Sequence, residues 1–171
     1  MTWTAPEVAR TGGSLVAGER EMLEGFLAWQ RSTLLHKCAG LTGEQLAERT
    51  VPPSGLSLLG LLRHLAKVER IWFRERFAGE QVERLHDTAD SKAADFAELD
   101  PARAAEDYAL LVEECRLSDA AVANAALDDT FSHDGEVHSL RLVYFHMITE
   151  YARHLGHADL LREQVDGVTG G

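Results

Sequence analysis

The stretch SLRLVYFHMITEYARHLGHADLLREQVDG, residues 139–167, decides the fold class. Its apolar residues recur at three- and four-residue spacings, Ser139 offers a hydroxyl where a helix N-cap needs one, and Gly167 stands where a C-cap glycine belongs. With His146 at 0° and about 100° per residue, Val143 and Leu161 fall at about 60°, Met147 at about 100°, Leu140 and Ala158 at about 120°, Tyr151 at about 140° and Leu155 at about 180°. Arg141, Asp159, Glu163, Thr149 and Arg153 occupy the opposite side, at about 220–340°. Glu150 at about 40° and His154 at about 80° break the polarity rule, because a carboxylate and an imidazole lie one turn apart within or beside the face that must be buried. His146 and His157, at about 0° and 20°, stand at the margin of that arc.

Working outward, residues 1–13 (MTWTAPEVARTGG) show no periodicity and read as an extended arm. A first helix is expected over 15–38, with Leu15, Met22, Phe26, Trp29, Thr33, Leu34 and Leu35 on its stripe and Gly40 as its stop. Thr42-x-x-Gln45 has the form of a capping box, which predicts a short helix to Arg49 before Pro52-Pro53-Ser54-Gly55 breaks the chain. The second long helix is predicted over 58–78, capped by Ser57 and stopped by Gly79. Residues 80–99 are acidic and lack an apolar stripe, as in a long crossover. Asp100-Pro101 then starts a third helix to Ala126, with Tyr108, Leu111, Val112, Cys115 and Val122 as its buried stripe. Residues 128–138 read as a loop with an Asp134-Gly135 turn. No alternating strand pattern persists, so the class is all-α and the expected architecture is a four-helix bundle, its long connection permitting a parallel pair.

Composition bounds the function. At 171 residues the chain matches one domain that buries about 70% of its unfolded surface without staples. Its 17 Lys+Arg against 28 Asp+Glu give a net charge of −11, which works against phosphate backbones and anionic membrane surfaces, so no nucleic acid or membrane partner is expected. Cys38 and Cys115 lie far apart and read as reduced, packed thiols. With no export signal and no apolar run long enough to span a bilayer, a cytoplasmic location is expected.

Setting His64 at 0° puts Val68 at about 40°, Leu61 at about 60°, Trp72 at about 80° and Leu65 at about 100°, so His64 lies inside the stripe of the second helix and needs a partner from another helix. Two histidines and a carboxylate with open positions suit a catalytic zinc or a non-haem iron. By spacing alone, His64 reads equally as a satisfied core histidine, and Glu150 with His154 as an ordinary i, i+4 pair. Glu83-x-x-His86 has di-iron spacing but lies in the polar crossover, so His86 reads as a solvated loop residue. Residues 133–138 read as a turn or as the border of a pocket mouth. Phe26, Trp29 and Trp72 read as core, or as walls of an apolar pocket above a metal.

The stretches PSGLSLLGLLRHLAKVERIWF (53–73) and HMITEYARHLGHADLLRE (146–163) resemble the DinB/YfiT-like superfamily of metalloenzymes, closest to an actinobacterial-type branch of unknown function. The resemblance implies a four-helix bundle of up-down-down-up order whose metal ligands fall on His64, Glu150 and His154. Many members have a third histidine where Glu150 stands. The His, Glu, His set is instead similar to that of the mycothiol-dependent maleylpyruvate isomerases. A divalent ion is therefore expected, Zn or Ni first and Fe or Mn next, together with a low-molecular-weight thiol and a small-molecule substrate, in hydrolysis or thiol transfer. His157 and His146 are the candidates for supporting or proton-transfer roles beside the ligands. Relatives often pair, which implies a homodimer. The competing expectation is a non-enzymatic metal-binding, dimerisation or stress-response module.

Overall fold

A computed structural model describes residues 2–87 and 94–170 of the chain, so residues 88–93 of the crossover lie outside the described residues. The fold is mostly helical: α1 (Glu19–Cys38), α2 (Gly43–Ala47), α3 (Leu58–Glu69), α4 (Ala94–Ala97), α5 (Ala104–Val122) and α6 (Leu140–Asp166). α3 continues as a π-helical stretch, Arg70–Phe77, and a 3₁₀ turn, Pro101–Arg103, leads into α5. One antiparallel hairpin, β1 (Thr130–His133) and β2 (Glu136–Ser139), precedes α6.

The cap chemistry sets most of these boundaries. Ser139 Oγ accepts from the Leu142 amide at 3.2 Å, and α6 ends on Gly167 in the left-handed region at φ 79°. Ser57 Oγ accepts from Gly60 N at 3.1 Å, Thr42 and Gln45 form the reciprocal capping box, and Asp100 Oδ1 accepts from Ala102 N at 3.0 Å. Each cap satisfies amides that the first helical turn leaves without carbonyl partners.

α1 packs along α6, while α3 packs on α5 and α6. Leu23, Leu27, Leu34 and Cys38 of α1, Leu58, Leu59, Leu61, Leu62 and Leu65 of α3, and Val143, Met147, Tyr151, Ala158 and Leu161 of α6 share one apolar core. Through it runs a polar seam: the buried Glu69 carboxylate accepts two bonds from Arg31, both 2.7 Å, and a third from Tyr151 Oη at 3.0 Å. A charge at 0% exposure is tolerated because its lone pairs are met by a fork of N–H donors and a hydroxyl.

Several expectations are corrected. α1 begins at Glu19 and leaves Leu15 80% exposed, because the arm runs on to Gly18, pinned by Ala5 against Gly40 and Leu41 and by the Thr11 amide on Ser32 Oγ. Phe26 and Trp29 are not core; they lie 39% and 40% exposed, edge to face with each other, and line a cavity with Gly12 and Gly13. Val112 is exposed at 45%, and α5 buries Asp107, Glu114 and Ser118 in addition to Tyr108, Leu111 and Val122. α5 also stops at Val122 rather than Ala126. The loop before α6 is a hairpin, for Asp134 and Gly135 take φ of 52° and 81°, the pair of positive values that a two-residue turn between right-twisted strands requires. The crossover contains α4, packed on α3. His86 is no solvated loop residue: it is half-buried at φ 58°, with Nε2 buried and without a hydrogen-bond partner among the described residues.

Candidate metal centre

α3 and α6 meet at His64, Glu150 and His154. One donor atom from each lies within 4.8 Å of the other two. Glu150 Oε1 is 3.1 Å from His64 Nε2 and 3.1 Å from His154 Nε2, so one carboxylate oxygen stands between two ring nitrogens. The i, i+4 spacing on α6 aims Glu150 and His154 together, and the His64 ring meets His154 edge-on at 4.8 Å. The side chains of His64 and Glu150 keep 20% and 17% exposure against 5% for His154, so the cluster is open on the His64–Glu150 side.

A fourth residue completes the arrangement, and no periodicity pointed to it. Asp95, on the four-residue α4, places Oδ2 2.8 Å from His64 Nδ1 and is itself 2% exposed. A carboxylate only accepts, so Nδ1 carries the proton. The edge of His64 that faces Glu150 then carries either a second proton or, with its lone pair bare, a metal ion. Asp95 reaches this position because Gly60, one turn before His64, has no side chain. A Cβ there would meet Phe96 Cδ1 at 2.7 Å. The Phe96 ring fills that space and lies 5.0 Å from the His64 ring.

Electrostatics separates the roles. Burial, reinforced by the neighbouring His64, pushes His154 down to about 4, so its imidazole is neutral at physiological pH. Burial opposes ionisation of Glu150, but hydrogen bonding from His64 and the proximity of His154 outweigh it and hold the carboxyl below its ordinary value. Asp95 behaves alike: burial raises it, and the His64 bond together with Lys67 lowers it further. His157 Nδ1 lies 3.3 Å from His154 Nδ1, which steadies that ring from behind. His146 does not join the cluster; its ring stacks on Trp72 at 4.0 Å. Of Phe26, Trp29 and Trp72, only Trp72 packs against His146, one turn from Glu150. Phe26 and Trp29 lie by the arm.

The profile of mycothiol-S-transferases matches residues 22–167, from the first turn of α1 to the cap of α6. The chain belongs to the mycothiol-S-transferase family. This family membership covers all three convergent residues and agrees with the DinB-like resemblance of residues 53–73 and 146–163. Comparison with curated proteins and with solved structures gives no match. No helix among the described residues is long and apolar enough to cross a membrane.

Proposed function

We propose that the protein is a divalent-metal-dependent mycothiol transferase, with His64, Glu150 and His154 as the metal ligands and an electrophilic small molecule as the acceptor. One observation carries the reading: in a chain of this family, two imidazole nitrogens and one carboxylate oxygen converge on a single point with one side open. That donor set suits Zn or Ni and leaves coordination positions free.

The bound ion would supply acidity, drawing a thiol toward thiolate at neutral pH. The chain's own residues prepare for it. Asp95 holds the proton of His64 on Nδ1 and so leaves Nε2 as a donor atom, as carboxylate–histidine pairs do behind metal ligands. His154 needs no deprotonation above about pH 5, because its pKa is already near 4. Glu150 contributes the single negative charge, and His157 restrains the ring of His154. In this reading α1, α3 with its π-helical extension, α5 and α6 are the four members of one up-down-down-up bundle, a single domain acting in the cytoplasm.

The test begins with metal content of untagged protein by mass spectrometry, followed by reconstitution with Zn, Ni, Fe or Mn. Stoichiometric metal, lost in both His64→Ala and His154→Ala with helical circular dichroism unchanged, supports the ligand set. Metal that stays substoichiometric after every reconstitution overturns it. Conjugation of mycothiol to a fluorogenic alkyl chloride then tests the transferase itself.

A further inference from the structure

Beyond the three convergent residues, a stack of side chains leads away from Glu150. His146 sits one turn before Glu150 on α6, about 6 Å along the axis. Its ring lies 4.0 Å from that of Trp72, with planes 37° apart, and the Arg76 guanidinium lies over the Trp72 ring, 4.3 Å from the centroid. Trp72 and Arg76 both belong to the π-helical stretch, and such stretches are often found where a helix face is bent to a function.

Arg76 is the anomaly. In a chain with 28 acidic residues, no carboxylate among the described residues comes within ion-pairing distance of it. The other arginines in that condition, Arg10, Arg49 and Arg153, are exposed, and Arg49 donates to the Phe96 and Ala97 carbonyls, whereas Arg76 is half-buried and its Nε is sealed from solvent without an acceptor among the described residues. Its neighbours are committed elsewhere: Arg70 and Arg74 to Glu114, and Glu75 to Arg84 at 2.8 Å. Burial, and then the charge of Arg84, both press on the Arg76 cation, and Glu75 and Asp134 compensate only at a distance. A guanidinium held over an indole, with its fork lacking an anion, is built to receive one.

We propose that Arg76, backed by Trp72, forms a subsite for a carboxylate-bearing group, and that this group belongs to the electrophilic substrate. The assignment to the electrophile rests on the transferase reading. Mycothiol joins its cysteine through the carboxyl to a neutral sugar–inositol unit and has no carboxylate to offer, so the anion must come from the other substrate. The fork of Arg76 would take the two oxygens in parallel, while Trp72 backs the guanidinium.

Benzoate and benzamide are the probes, titrated calorimetrically into metal-free protein so that neither a bound ion nor catalysis contributes. Wild type is expected to bind benzoate saturably and at least tenfold more tightly than benzamide. Arg76→Gln should abolish that preference, and Arg76→Lys should keep part of it. Equal binding of the two probes by wild type, or a benzoate affinity that Arg76→Gln leaves unchanged, overturns the subsite. Mycothiol conjugation to a neutral electrophile by wild type reports separately on the transferase, since failure of that activity would sink the functional reading and leave the benzoate result standing.

Discussion

Replacing Asp95 with asparagine alters one group 2.8 Å from His64 Nδ1 and leaves its size almost unchanged. The carboxylate can only accept, which locks a proton on Nδ1 and leaves Nε2, on the edge facing Glu150, as the nitrogen whose lone pair a metal would take. An amide can turn either end to the ring, so the opposite tautomer, with the proton on Nε2, becomes accessible and competes with metal binding. Loss of such a supporting carboxylate costs about 10–100-fold in metal affinity, or about 1.4–2.8 kcal/mol at 1.4 kcal/mol per decade. Lys67 does not rescue the loss: it lies 3.8 Å from Asp95 and 2.5 Å from Asp87, and a cation cannot accept from Nδ1. The assay is competition of Zn between the protein and a chromophoric chelator, run on wild type, Asp95→Asn and His64→Ala, with helical circular dichroism as the check on folding. The expected order of affinity is wild type, then Asp95→Asn, then His64→Ala. An Asp95→Asn affinity within twofold of wild type would refute the reasoning, because His64 would then be oriented by packing against Phe96 alone.

Gly60→Ala should destabilise by about 1–3 kcal/mol in urea denaturation, since the new Cβ would lie 2.7 Å from Phe96 Cδ1 and α4 must move away from α3. The same variant should weaken Zn binding, as Asp95 moves with Phe96. Tyr151→Phe removes the hydroxyl donor to the buried Glu69 and should cost about 1.5 kcal/mol, the low end for a bond to a charged acceptor, because Arg31 keeps its two bonds and the Cys115 thiol its weak one. An unchanged denaturation midpoint would contradict that account. His86 is held at about 4, first by burial and then by Arg63, below its unfolded value of 6.5. The unfolded chain therefore binds a proton that the folded chain refuses, and stability present above pH 6.5 is lost as pH falls from 6.5 toward 4. His86→Asn, which tolerates the positive φ, should lose less stability than wild type between pH 7.5 and pH 5 in matched urea titrations.

The long helices were legible because their signals are local. Ser57, Ser139 and Gly167 act within one turn of their own positions, and the α6 stripe from Leu140 to Leu161 repeats often enough to be read without any partner. His64, Glu150 and His154 were legible as polar residues on apolar faces, with the family resemblance choosing among the readings left open. The failures share the opposite property. Leu15, Phe26 and Trp29 follow a helical period, yet nothing in that period says whether a partner will cover them. The hairpin strands are four residues each, too short for alternation to show, although Asp134-Gly135 marked their turn.

The sequence by itself determined the helical class, most helix limits and the types of group that could bind a metal, because periodicity and capping act over a few residues. Tertiary structure alone decided how those groups are used. His64 and Glu150 are separated by 86 positions, and only the packing of α3 against α6 brings Nε2 and Oε1 to 3.1 Å. Asp95 gained its role from a close approach at Gly60, and Arg76 from the absence, among the described residues, of a carboxylate within ion-pairing distance. Neither an approach nor an absence has a period, so neither can be seen along the chain.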